Sequence, residues 1–167
     1  MITQQMTRAT TALALLSSGL LAGAFGYGAV NLVTTFNVVP LDIRLTFHSA
    51  LMKMNGPVIQ ATMAVAALSA LALAVLARRR TRLLAGTAVA LVTTSFLVTR
   101  FGNVPINGQI KVWAVSTPPA DYAEILQRWE AFNVVRTLTA LAAFAIVIGI
   151  ATTAARTSRK APEPALA

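Results

Sequence analysis

Two polar stretches, which lie between two long apolar segments, carry the side chains that could do chemistry. Asn103 and Asn107 stand in the first stretch, and Trp129, Asn133 and Arg136 follow at helical spacing in the second. Amide side chains are costly to bury in lipid without partners, and a bundle of Ala, Leu, Val and Thr would not need them. The pattern therefore predicts that these side chains converge on one site, where the arginine could hold an oxyanion.

The chain has 1 histidine, His48, and it is the one obvious general base in the sequence. Each candidate also has a plainer interpretation. His48 could be an interfacial side chain in contact with water and headgroups, and Arg136 could extend to the membrane surface. The asparagines could cap backbone groups freed around Pro105, and the tryptophan at position 129 could belong to an interfacial belt.

The composition excludes several classes of protein. With 0 cysteines, thiol–disulfide enzymes, iron–sulfur proteins and thiolate metal sites are excluded, and 1 histidine cannot supply two axial haem ligands. These counts leave little that could bind a metal ion. The net charge of +9 does not indicate nucleic acid, because the basic clusters flank apolar segments. The apolar segments contain no acidic residue, which argues against a proton-coupled exporter.

Four apolar segments are long enough to span a bilayer, near residues 11–33, 58–77, 83–98 and 134–154. They predict an all-α fold, a polytopic membrane four-helix bundle that runs up-down-up-down, as a single domain over residues 1–160. Residues 161–167 are predicted to form a disordered tail. Cleavage of the first segment as a signal peptide after residues 22–24 is the alternative to an uncleaved first helix.

The two long connections are expected to form a partly helical extracytoplasmic cap. Pro40 ends the first helix, and a helical face follows it as far as Gly56-Pro57, where a break is expected. Asp121 is the expected start of the fourth helix. The short turn with Arg78, Arg79, Arg80 and Arg82 predicts that both termini are cytoplasmic in a bacterial-type plasma membrane.

The run Asn103-Val-Pro-Ile-Asn107, answered by Trp129, Asn133 and Arg136-Thr137, resembles the anthrone oxygenase-like family of small four-helix membrane proteins. Pro40 and the pair Met54-Asn55 extend the resemblance over nearly the whole chain. The resemblance implies cofactor-free oxygenation of a fused phenolic ring system to a quinone by O2. Position 133 is Asn where relatives often carry histidine, which leaves His48 as the candidate base.

The leading hypothesis is thus a membrane-bound monooxygenase that converts an anthrone-like phenol to a quinone with O2. His48 would take the proton and Arg136 would hold the oxygen, with the substrate bound by Asn55, Phe101, Asn103, Asn107, Trp129 and Asn133. The expected partners are this hydrophobic substrate, O2 and membrane lipid. The rival hypothesis is a non-catalytic integral membrane protein, either a partner subunit or a module that binds lipid or a small molecule.

Overall fold

Long helices account for almost the whole chain in a computed structural model that describes residues 2–159, with side chains described over residues 5–154. No strand occurs in that part of the chain, and the predicted tail, 161–167, lies outside it. The helices are α1 (Ile2–Tyr27), α2 (Val33–Phe36), α3 (Leu41–Leu76), α4 (Arg79–Val98), α5 (Val104–Trp113) and α6 (Tyr122–Arg159). A π-helical turn, Gly28–Leu32, joins α1 to α2, and another, Thr99–Asn103, joins α4 to α5.

The predicted membrane four-helix bundle is confirmed. The four helical rods Gln5–Phe36, Leu41–Leu76, Arg79–Trp113 and Tyr122–Ala154 are each long and apolar enough to cross a bilayer. Successive rods run antiparallel and pack in a ring, in which α1 contacts α3 and α6, and α4 contacts the same two helices. The protein is an integral membrane protein.

The core of the bundle is built from small side chains, which let the helices approach closely. One layer contains Ala14, Ala70, Ala88 and Val147, one from each rod. Hydroxyl groups add hydrogen bonds between helices: Ser17 and Ser69 lie 3.3 Å apart, and the Ser95 hydroxyl donates to the Arg136 carbonyl at 3.1 Å. The wall of the bundle is thereby fixed at the level where α6 carries its arginine.

The turn between α3 and α4 is short, and one of its arginines, Arg82, stabilises it. Arg79 has a positive φ of 49°, and Arg82 Nε donates to the Ala77 carbonyl at 3.0 Å, which satisfies a group at the end of α3. About 20 residues of helix cross the apolar part of a bilayer. Counted from this turn, that distance ends near Pro57 on α3 and near Val98 on the neighbouring α4.

Beyond that level the helices continue into a cap, defined by the buried cluster Phe36, Leu45, Ile106, Ile110, Trp113, Ile125, Leu126 and Trp129. The partly helical cap is therefore present. The fourth helix begins at Tyr122, one residue from the predicted start, and the Asp121 carbonyl accepts from the Glu124 and Ile125 amides at 3.1 and 3.3 Å. At about 1.5 Å per residue α6 is about 57 Å long, so its first turns belong to the cap.

The predicted break at Gly56-Pro57 is wrong. Gly56 and Pro57 lie inside α3, which is continuous for 36 residues, and Pro57 only removes the donor that the Lys53 carbonyl would otherwise have. Around Pro105 the chain stays helical, because the wider turn at Thr99–Asn103 precedes the proline and leads directly into α5.

Candidate active site

A cavity of about 540 Å³ lies between the rods at the base of the cap. Its lining comes from every rod of the bundle and includes both π-helical turns, through Gly28, Leu32 and Thr99. Such turns are frequent at functional sites, since they redirect side chains without breaking the helix. The apolar walls include Phe25, Phe36 and Trp129. The cavity has the size and the aromatic lining of a site for a flat organic molecule.

Asn107 is held at the cavity wall by two neighbours. The Trp129 Nε1–H donates to Asn107 Oδ1 at 2.8 Å, and His48 Nε2 lies 3.2 Å from the same oxygen. An amide oxygen only accepts, so His48 donates from Nε2 and carries its proton there. With its oxygen occupied twice, Asn107 presents its NH2 group as the donor available to the cavity.

Asn133 and Arg136 form a second fixed pair. Arg136 Nε and Nη2 both donate to Asn133 Oδ1, at 2.9 and 2.6 Å. The guanidinium carbon lies 4.5 Å from the centroid of the Phe25 ring, a cation–π contact that holds the planar group from its other side. Both polar side chains line the cavity. Arg136 therefore faces the interior of the bundle instead of extending to the membrane surface.

His48 lies behind the cavity wall. It is fully buried, stacked on Phe36 at 4.9 Å between ring centroids and 8° between planes, and it meets the Trp129 ring edge-on at 4.5 Å. Its Nδ1 has no hydrogen-bond partner in the described part of the chain. The position differs from both interpretations of the sequence, since His48 neither lines the cavity nor contacts solvent at an interface.

The remaining predicted site residues fall into two groups. Asn55 is exposed and lines the cavity at its α3 side. Asn103 is fully buried outside the lining, where its Nδ2 donates to the Trp129 carbonyl at 3.0 Å and so ties the start of α5 to α6. Phe101, expected as a wall, is 72% exposed and lies outside the lining, because the π-helical turn directs it away from the bundle.

The sequence analysis missed two cations at the site. Lys53 and Lys111 line the cavity, on α3 and α5, and neither is among the predicted site residues. Their spacing contains a signal: Lys53 lies one helical turn before Pro57, and Lys111 lies one turn after Asn107. This spacing predicts two cations at the site only once it is known that α3 and α5 pack against each other.

The charged side chains that line the cavity in the described part of the chain are all positive. Lys53, Lys111 and Arg136 line it, and no aspartate or glutamate does so among residues 5–154. Glu130, next to Trp129 in sequence, is instead paired with Arg44 at 2.9 Å, and Arg44 also donates to Asn37 Oδ1 at 2.6 Å. Over the described residues, no cluster of three or more His, Cys, Asp or Glu side chains could hold a metal ion.

The sequence profile of the anthrone oxygenase family matches residues 44–146, well over half of the chain. The protein belongs to the anthrone oxygenase family. No curated protein and no solved structure matches it. The matched region of this anthrone oxygenase family member spans His48 to Arg136 and so contains both fixed amide pairs, Trp129 and the two lysines. The α1 part of the cavity, with Phe25 and Gly28, lies outside the match.

Proposed function

We propose that the protein is a membrane-bound, cofactor-independent oxygenase that converts an anthrone-like phenolic substrate to a quinone with O2. The observation that carries the proposal is the polarity of the cavity. Its aromatic walls suit a fused ring system, and its fixed polar groups, the NH2 groups of Asn107 and Asn133 and the guanidinium of Arg136, are donors. A site of this kind stabilises negative charge on an oxygen atom.

The chemistry needs that stabilisation at one step above all. An anthrone loses a proton from its CH2 group to give an anion with the charge on the ring oxygen, and this electron-rich anion can reduce O2. A new C–O bond then forms a hydroperoxide at the same carbon. Loss of water, with cleavage of the O–O bond and the second C–H bond, leaves the quinone. One oxygen atom of O2 ends in the product and the other in water.

The residues have distinct roles in this proposal. Arg136, Asn133 and Asn107 hold the oxyanion, and Phe25 and Trp129 flank the ring. The proton passes to water at the open side of the cavity, because donors around the ring oxygen favour the anion. These groups act on the substrate without a cofactor, since the substrate itself supplies the electrons.

His48 is a positioning residue in this scheme, not the base. Its Nε2–H fixes the oxygen of Asn107 at 3.2 Å, and Trp129 fixes the same oxygen from α6. Together they hold the NH2 group of the amide toward the cavity. Such a buried network keeps donors in place before the substrate binds.

The test is oxygen uptake by purified protein with a simple anthrone, with and without a chelator. One O2 consumed per quinone formed is expected, unchanged by the chelator. Arg136→Gln should lower kcat by about 100-fold or more, as loss of an oxyanion donor does. Arg100→Gln is the matched control, because Arg100 is an exposed cation outside the cavity lining. Chelator-sensitive uptake, or equal rates for the two variants, would contradict the proposal.

A second candidate function follows from what the cavity lacks. No histidine, aspartate, glutamate or cysteine lines it in the described part of the chain, so no ordinary general base faces a bound substrate. This observation favours a non-catalytic module that binds a small molecule or lipid. Tight binding of anthrones and related phenols with no oxygen uptake, at any pH from 6 to 9, would identify the protein as such a module.

The membrane orientation belongs to the same proposal. With the Arg78–Arg82 turn in the cytoplasm of a bacterial-type cell, both termini are cytoplasmic and the cap with its cavity is extracytoplasmic. The substrate then enters from the outer leaflet or the space beyond it. Residues 1–160 act as one domain.

A further inference from the structure

The three cations of the cavity lie at different depths. Arg136 is the deepest, level with Ser95, whose hydroxyl donates to its carbonyl. Lys53 and Lys111 lie about one helical turn beyond Pro57 and Asn107 respectively, toward the cap, and both are exposed. One end of a bound molecule can therefore meet Arg136 while the other meets the lysines.

The lysines line the cavity from α3 and α5, and both are exposed, so they mark where the cavity opens to the surface. A glycine lies three residues from each of them: a Cβ atom added at Gly56 or Gly108 would meet no atom within 4 Å, apart from its own helix backbone and chain neighbours. Both glycines line the cavity together with Pro57. The opening is thus kept clear of side chains, and the groups that flank it carry positive charge.

Neither lysine has an ion pair with a carboxylate in the part of the chain that the structure describes. Glu130, on α6, is bound to Arg44 instead. Two unpaired cations at the entrance of an apolar cavity attract anionic molecules and repel cationic ones. The oxyanion of the proposed reaction is held by Arg136, so the lysines are not needed for that charge.

We propose that the ligand of this cavity carries a permanent anionic group, most simply a carboxylate, which Lys53 and Lys111 bind at the opening while the rings lie inside. The proposal rests on the proposed function insofar as the ligand is the substrate of that reaction. The proposal narrows the substrate class to fused ring systems that carry an acidic group at the end opposite the reacting oxygen. An anionic lipid headgroup has the same chemistry, and the experiment separates the two.

Binding is measured without turnover, by quenching of tryptophan fluorescence in nanodiscs of neutral phosphatidylcholine. The probes are anthraquinone-2-carboxylate and its carboxamide, which have the same rings and differ in charge. The carboxylate should bind about tenfold more tightly, a difference of about 1.4 kcal/mol, because the two lysines can donate charge-assisted hydrogen bonds to it. Lys53→Gln with Lys111→Gln should bring the two affinities within about twofold.

Arg128→Gln is the matched control, because Arg128 is an exposed cation of the cap that does not line the cavity. It should keep the tenfold preference. Equal binding of the two probes by the wild type, or the same loss in the control, would overturn the proposal. The binding measurement is also repeated in nanodiscs that contain phosphatidylglycerol. Loss of the preference for the carboxylate there would overturn the proposal, since the lysines would then bind the lipid headgroup.

The outcome is separable from that of the oxygenase proposal. Selective binding of the carboxylate, with no oxygen uptake by the protein with any anthrone, would support the anionic ligand and contradict the oxygenase proposal. Equal kcat/KM values for a neutral anthrone and its carboxylate would support the oxygenase proposal and contradict the anionic ligand.

Discussion

Gly102→Ala tests how the π-helical turn places the site. A Cβ atom at position 102 would lie 2.6, 2.7 and 2.9 Å from three ring carbons of Phe132. Carbon atoms in contact prefer about 3.5–4.0 Å, so the ring would have to move by about 1 Å. Overpacking of this kind costs about 1–3 kcal/mol, against about 1 kcal/mol gained when alanine replaces glycine in a helix. We expect a net loss of up to about 2 kcal/mol.

The measurement is the unfolding midpoint in a titration of mixed detergent micelles with SDS. Gly86→Ala is the matched control in α4, because its new Cβ atom would meet nothing within 4 Å, and it should be neutral or stabilising. Gly102→Ala combined with Phe132→Ala should recover the gain from helix propensity. If Gly102→Ala is as stable as Gly86→Ala, or if Phe132→Ala does not change its effect, close packing of this turn against α6 is refuted.

Two further predictions concern the buried histidine and the membrane orientation. His48→Ala should lower oxygen uptake by a similar factor at every pH from 6 to 9, because a positioning residue acts through the amide that it orients; recovery only at high pH would make His48 the base. A reporter fused after Ala167 should be active only if it is of a type that works in the cytoplasm. Activity of a periplasmic type would place the cap and its cavity on the cytoplasmic side.

The helices were predictable because their signals are long. Runs of about 20 apolar residues need no knowledge of neighbouring segments, and Asp121 marked the start of α6 within one residue. The break at Gly56-Pro57 was mispredicted because Gly and Pro act locally, whereas the continuity of a helix depends on what surrounds it. Pro57 borders a cavity, where a freed carbonyl does little harm, and Pro105 lies at the start of α5, where its missing N–H is tolerated.

The site was predictable where its residues share one helix. Trp129, Asn133 and Arg136 lie on one stripe of one helix, so their common direction follows from the sequence. The pairing of Asn107 with His48 joins α5 to α3, and such long-range contacts have no signal in a single sequence. Phe101 failed as a predicted wall because a π-helical turn shifts the phase of the side chains around it.

Asn133→Asp distinguishes a charge that serves a ligand from one that serves the fold. The introduced carboxylate has nearly the shape of the amide, and it keeps an oxygen in the place to which Arg136 donates at 2.6 and 2.9 Å. If Arg136 only ties α6 together, the substitution should be neutral or stabilising, because a charge-assisted pair replaces a neutral acceptor.

If Arg136 holds an oxyanion, Asn133→Asp instead cancels its charge and removes a donor NH2 group. A carboxylate about 4 Å from an oxyanion opposes it by up to about 4 kcal/mol at an effective dielectric constant near 20. We therefore expect kcat to fall by at least about 100-fold while the SDS midpoint stays the same or rises. Asn133→Leu, which removes the acceptor without adding charge, should lose less activity and more stability. An Asn133→Asp protein with wild-type oxygen uptake would assign Arg136 to the fold alone.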